Sequence, residues 1–207
     1  MYLFDLDGTL IDSNGIWAEV DRTFLDRHGL AYTKEYYEGV AHTILPLAAV
    51  FTKAHFNLPE SCEEIVQEWM TLAEGLYSDV KLKPFTIDLL QALQARGERM
   101  AVFTSSVPEH CRCAMEKHGL SQYFERVIFA QELGMDKSDP ACFRRAAQVL
   151  GAAPEECVLL DDSVKSCRSG KAVGMYVIGV YDPFFESTKA DMPLVCDRFI
   201  HSFAELL

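Results

Sequence analysis

Short unbroken apolar runs alternate along this chain with longer stretches whose apolar residues recur at helical spacing. Five runs read as buried strands, at 2–6, 99–104, 126–130, 157–160 and 175–180. Helices are predicted over 86–96, 108–118, 140–150 and 164–173. Gly97, Gly119, Gly151 and Gly174 stand just past their ends, where a left-handed residue closes a helix. Runs of this kind, bounded by turn residues and separated by helices, predict parallel βαβ units in an open, doubly wound α/β sheet of five strands.

Residues 14–80 break the rhythm. No second strand follows the first for more than 80 residues, and the pattern turns helical. Ile16, Val20 and Phe24 fall at i, i+4 and i+8, and Gly29 stops that helix. At least one helix is expected over 39–55, with Pro46 in its first turns. Ser61-x-x-Glu64 forms a capping box ahead of Ile65, Trp69, Leu72 and Leu76, which share one face. The chain therefore divides into an α/β core of residues 1–13 and 81–207 and a helical insert of residues 14–80.

Composition narrows the possibilities. The 207 residues are 49% hydrophobic and 24% charged, with mean hydropathy +0.02, enough apolar material for a packed core. The formal charge is -12, and the insert carries 4 basic against 11 acidic residues, or -7 of it. Such a surface repels phosphate backbones and anionic lipid, so neither nucleic acid nor a membrane is expected as a partner. Seven scattered cysteines without a C-x-x-C pair argue against a disulfide framework or a structural zinc, and point to a reducing, cytoplasmic setting. No leader pattern and no apolar stretch of roughly 20 residues is present. The oligomeric state is left open, and a monomer is compatible with the pattern.

The strand ends hold the chemistry, because ligands of open α/β sheets bind at the carboxyl ends of the strands. The first strand runs into Asp5-Leu6-Asp7-Gly8-Thr9, the second ends in Thr104-Ser105-Ser106, the fourth in Asp161-Asp162-Ser163, and Lys137 follows the third. Four ionised carboxylates at one place would not be tolerated uncompensated. All-oxygen donors without His or Cys point to Mg²⁺, and a cation, a lysine and hydroxyls together suit a phosphorylated substrate.

The run FDLDGTLIDS resembles the first signature of the haloacid dehalogenase superfamily, D-x-D-G-T-[LV]. Thr104, Lys137 and Asp161-Asp162 resemble its other three, in order. The insert resembles the helical cap of the β-phosphoglucomutase and phosphoglycolate phosphatase branch. The resemblance covers the chain from Tyr2 to about Asp182. It implies the strand order 3-2-1-4-5 and a phosphomonoesterase of a small phosphorylated metabolite. Carried onto this sequence, it makes Asp5 the nucleophile that becomes an aspartyl-phosphate, and Asp7 the acid and then the base. Gly8, Thr104, Ser105 and Lys137 would bind the phosphoryl group. Asp5, the Asp7 carbonyl, Asp162 and Asp161 would hold Mg²⁺. Trp17 and His42, with Thr43, lie where cap residues of relatives touch substrate.

Departures from the pattern limit the alternatives. Ser138 replaces the usual proline after Lys137, and Phe85 stands where many relatives have glycine. A sugar-phosphate mutase, the runner-up, would bring a cap histidine near Trp17 and a cap lysine, yet no Lys or Arg occurs between Ala54 and Val80. A dehalogenase has no use for Asp7. A non-enzymatic phospho-acceptor would carry its acidic residue on the third strand, which ends without one. Singly, Asp7-Gly8-Thr9 could be a plain turn and Asp161-Asp162-Ser163 a helix cap.

Overall fold

The computed structural model describes residues 1–40 and 45–207, so His42 and Thr43 lie outside the described residues. Two compact units are present. One comprises Met1–Ser13 and Val80–Leu207, the other Asn14–Asp79.

The first unit is built on a parallel sheet of β1 (Tyr2–Phe4), β2 (Met100–Thr104), β3 (Arg126–Phe129), β4 (Val158–Asp161), β5 (Tyr176–Val180) and β6 (Arg198–Ile200). Their order is β3-β2-β1-β4-β5-β6. The sheet thus has six strands, not the five expected. β6 is only three residues long and pairs only with β5. All five residues of β2 are buried, which is why that strand reads as a continuous apolar run. Leu3, Ala101, Phe103 and Leu159 pack with Cys142, Phe143 and Ala146, and Phe103 meets Phe143 edge to face at 5.1 Å. β1 lies between β2 and β4, so the chain's direction of travel across the sheet reverses beside it.

The second unit contains α1 (Ile16–Arg27), α2 (Lys34–Val40), α3 (Leu45–Phe56) and α4 (Cys62–Asp79). The capping box is formed: the Glu64 amide donates to Ser61 Oγ at 3.1 Å, and the Ser61 amide to Glu64 Oε2 at 2.7 Å. Trp69 packs edge to face on Phe24 at 5.7 Å. Inside, the Tyr36 hydroxyl donates to Asp21 Oδ1 at 3.0 Å, and burial pushes the Asp21 carboxyl up to about 6.

The remaining helices are α5 (Thr86–Ala95), α6 (Pro108–Lys117), α7 (Pro140–Val149), α8 (Val164–Ala172) and α9 (Met192–Val195). Where the first unit is interrupted, its two ends are tied together. The Asp12 amide donates to the Lys81 carbonyl at 2.8 Å, the Lys83 amide to the Leu10 carbonyl at 3.0 Å, and Lys83 Nζ pairs with buried Asp182 at 2.6 Å. Phe85, just ahead of α5, has φ 64°, the left-handed region that glycine enters without strain. Holding a phenyl side chain there costs about 1–2 kcal/mol. His110, a residue type more common on helix surfaces, is 3% exposed. It lies on the stripe that α6 buries with Cys111, Ala114 and Met115.

Candidate active site

The site begins one residue past β1. The Asp5 amide donates to the Leu160 carbonyl at 2.9 Å, extending the ladder toward β4 and fixing the backbone from which the Asp5 carboxylate projects. The chain then turns tightly. The amides of Leu10 and Ile11 both donate to the Leu6 carbonyl, at 2.9 and 3.0 Å, and that of Gly8 to the Ile11 carbonyl at 2.8 Å. Gly8 has φ 77°, a conformation that an L side chain would strain. The same turn aims Thr9 Oγ1 at Asp162 Oδ1, 3.2 Å away, and Ser13 Oγ at Asp7 Oδ1, 2.6 Å away.

Lys137 reaches into this group from the loop after β3. Its Nζ donates to Asp5 Oδ1 at 2.6 Å and to the Phe103 carbonyl at 3.1 Å. It also lies 2.6 Å from Asp161 Oδ2, an ion contact without hydrogen-bond alignment. Asp5, Lys137, Asp161 and Asp162 are all buried, at 7, 5, 1 and 4% exposure, so their charges act on one another with little screening. Burial, with Asp161 and Asp7 adding to it against the pull of Lys137, pushes the Asp5 carboxyl up to about 7. Burial alone would lower Lys137, but the two carboxylates hold it above its usual value.

One lysine does not balance this charge. Asp5, Asp161 and Asp162 each turn an oxygen into a group within 4.8 Å of one another. Three buried carboxylates converging without His or Cys fit a hard divalent cation. Asp7 stands slightly apart from them, half-buried and bonded by Ser13.

The other expected site residues are placed as follows. Thr104 is 1% exposed at the end of β2, and its Oγ1 accepts from the Ser106 amide at 2.9 Å. Its own O–H therefore remains to donate elsewhere. Ser105 is exposed in the same turn. Trp17 lies half-buried on α1 of the helical unit. Cys111 on α6 is pushed up to about 12 by burial, with Asp7 and Asp5 adding to it, which keeps its sulfur in the thiol form.

Four supporting residues were not singled out from the sequence. Thr9 and Ser13 brace two of the carboxylates. Asp136 and Ser169 brace the lysine loop: the Ser138 amide donates to Asp136 Oδ1 at 2.7 Å, and buried Ser169 Oγ donates to the Ser138 carbonyl at 2.7 Å. The Asp139 amide closes the turn onto the Asp136 carbonyl at 2.9 Å. Ser138, unlike a proline, has the N–H that this arrangement uses. Asp136→Ala is expected to lower kcat about 10-fold with little change in KM, by loosening Lys137. Asp136→Asn keeps the acceptor and should stay near the parent. Steady-state kinetics of the two variants checks this, and equal losses would mean that the charge matters, not the turn.

Comparison with known proteins agrees with this geometry. Residues 2–180 match the family described as haloacid dehalogenase-like hydrolase. Hexitol phosphatase A of Escherichia coli is 31% identical over 99% of this chain and 92% of its own length. The bifunctional riboflavin kinase/FMN phosphatase of Arabidopsis thaliana is 28% identical over 86% of this chain, which spans only 47% of that longer protein. Among solved structures, a HAD family hydrolase of Deinococcus radiodurans with bound phosphate and sodium superposes with TM-score 0.78. It is 26% identical, covering 99% of this chain and 92% of that one.

Proposed function

The chain belongs to the haloacid dehalogenase-like hydrolases, and we propose that within them it is a Mg²⁺-dependent phosphomonoesterase of a small phosphorylated metabolite. The observation that carries this reading is the buried convergence of Asp5, Asp161 and Asp162, the first two of which pair with Lys137. The relatives named above as phosphatases support the reaction class.

In this mechanism Asp5 attacks phosphorus with the carboxylate oxygen that Lys137 does not hold. The bond from phosphorus to the ester oxygen breaks, and Asp7 gives that oxygen its proton. Water then attacks the aspartyl-phosphate, Asp7 takes a proton from it, and Asp5 is regenerated as phosphate leaves. The Ser13 hydroxyl donates to Asp7 Oδ1 and so orients the carboxyl that carries the proton. Thr104, Ser105 and the Gly8 amide bind the phosphoryl oxygens, and Lys137 offsets charge on nucleophile and phosphate. A Mg²⁺ ion held by Asp5, Asp161, Asp162 and the Asp7 carbonyl would supply positive charge opposite the dianion. Trp17 and His42 keep the substrate-contacting role that the resemblance gives them. No helix of the described residues is long and apolar enough to cross a membrane.

A panel of phosphorylated metabolites, assayed with Mg²⁺ and with excess chelator, tests the reading. Turnover is expected to require the metal, and Asp162→Ala to raise the Mg²⁺ concentration needed. Full activity in chelator would overturn the metal assignment. Proton and cation compete for Asp5, whose carboxyl stands at about 7. Mg²⁺ affinity should therefore rise up to about tenfold per pH unit between about pH 5 and 7 and then level off. Calorimetric titration of Mg²⁺ across that range checks the sign.

A further inference from the structure

Two thiols sit against the back of the carboxylate site. Cys167, on α8, is fully buried, and its Sγ donates to the main-chain carbonyl of Asp161 at 3.4 Å. Cys196, one residue past the end of α9, packs into the same core cluster as Cys167, close enough for the two thiols to perturb one another. The position of Cys196 follows from a gap in the neighbouring strand. Gly179 of β5 is the cross-strand partner of Asp161, and a Cβ built on it would lie 2.7 Å from Cys196 Sγ. The sulfur fills the space where a side chain at 179 would stand. The two sulfurs therefore lie side by side over one rung of the β4–β5 pair, and Cys196 is the partly exposed member. All seven cysteines are free thiols. The catalytic scheme above uses none of them.

We propose that Cys167 and Cys196 are a redox-modifiable pair, which a hydroperoxide converts to an intramolecular disulfide that slows turnover at the adjacent carboxylates. The accessible sulfur of Cys196 attacks the O–O bond of the peroxide. One peroxide oxygen stays on sulfur, which becomes the sulfenic acid, and the other leaves as water, or as an alcohol when the peroxide is organic. Cys167 then attacks the Cys196 sulfur, the S–O bond breaks, and the departing hydroxide leaves as water with the Cys167 proton. With hydrogen peroxide the net change is two thiols and one peroxide to one disulfide and two waters. A dithiol reductant returns two electrons and two protons. The link to the site is the proton itself: a disulfide has no S–H, so the bond from Cys167 to the Asp161 carbonyl is lost once the sulfurs join. The sulfurs must also close to about 2.05 Å, which draws α8 and the end of α9 together beside Asp161.

The experiment uses the full chain, reduced and then treated with hydrogen peroxide. Remaining thiols are trapped with an alkylating agent, and peptides are mapped by mass spectrometry. A cross-linked peptide pair containing Cys167 and Cys196, lighter by two hydrogens, is expected. Hydrolysis of an aryl phosphate should fall severalfold in step with it and return with dithiothreitol. Cys196→Ser should turn over like the parent when reduced, form no cross-link and resist peroxide. Cys196→Ala repeats the test without a hydroxyl. Both thiols still alkylatable after other cysteines have oxidised would overturn the pairing. A cross-link without loss of turnover, or an equal loss in Cys196→Ser, would overturn its effect on the site. That effect rests on the phosphatase reading, whereas the pairing is decided by the cross-link alone. A reduced protein inactive toward every ester would sink the former and leave the latter standing.

Discussion

Asp7→Asn, given an activated ester, is expected to accumulate one phosphoryl group on Asp5, whereas Asp5→Asn accumulates none and turns nothing over. The two carboxylates are separated by a single residue but differ in surroundings. Asp5 is buried and fixed by Lys137 at 2.6 Å, as a nucleophile must be. Asp7 is half-buried and accepts at Oδ1 from Ser13, from which an asparagine at position 7 would still accept. An acyl or aryl phosphate needs little help from a proton in the first step, so Asp5 of the Asp7→Asn variant can still attack. The second step loses its base and should slow by about 10²–10⁴-fold. Removing the nucleophile should cost on the order of 10⁴-fold or more in kcat. Acid-quenched mass spectrometry reads the adduct. A phosphoryl group on Asp161, Asp162 or a serine, or its persistence in Asp5→Asn, would reverse these roles.

Lys137→Met should be the most destabilising single change at the site, by about 3–5 kcal/mol, because it leaves buried carboxylates without their cation. In a chain of this size that corresponds to a fall of roughly 10 °C in Tm. The effect should be largest at about pH 8 without divalent cation, where every carboxylate bears its charge. Added Mg²⁺ should restore part of it, and so should Asp5→Asn in the same background. The parent shows a related dependence. The folded value of Asp5, about 7, lies above its ordinary value. The native state therefore holds a proton that the unfolded chain has lost between about pH 4 and 7, and metal-free stability falls as pH rises through that window. Asp5→Asn should flatten this slope. Thermal melts of the three proteins with and without Mg²⁺ check it, and a Tm within about 2 °C of the parent for Lys137→Met would refute it.

The α/β pattern was readable because its signals are local. β2 is apolar throughout, and α7 begins at Pro140 and stops before a left-handed Gly151. β6 was not readable, since Arg198–Ile200 is too short to show a run and follows Asp197. The burial of His110 was legible in principle. Its spacing to Ala114 places it on the stripe shared with Cys111 and Met115, although histidine as a residue type points to the surface. The acids at the ends of β1 and β4 could be grouped from sequence because the strands that carry them could be found. Lys137 sits in a loop without periodicity and could be placed because β3 before it and α7 after it could be found. The part played by Ser169 depends on a contact across 31 residues that no local pattern encodes.

The position of β1 also sets a timetable. Tyr2 is paired with Met100 on one side and Val158 on the other, so Asp5 is synthesised long before the β4 residues that frame it. At synthesis rates of about 5–20 residues per second, the chain waits roughly ten to thirty seconds for its β4 partner. Until β4 arrives, Leu3, Phe4 and Leu6, all fully buried in the finished molecule, have at most β2 to pair with. Apolar segments left open in this way are what chaperones shield. Residues 14–79 are complete far earlier and can settle among themselves, while Asp5 remains an ordinary aspartate. On the proposed mechanism, a chain cut short before Asp161 is expected to hydrolyse nothing, and hydrolytic capacity to appear in one step when β4 docks.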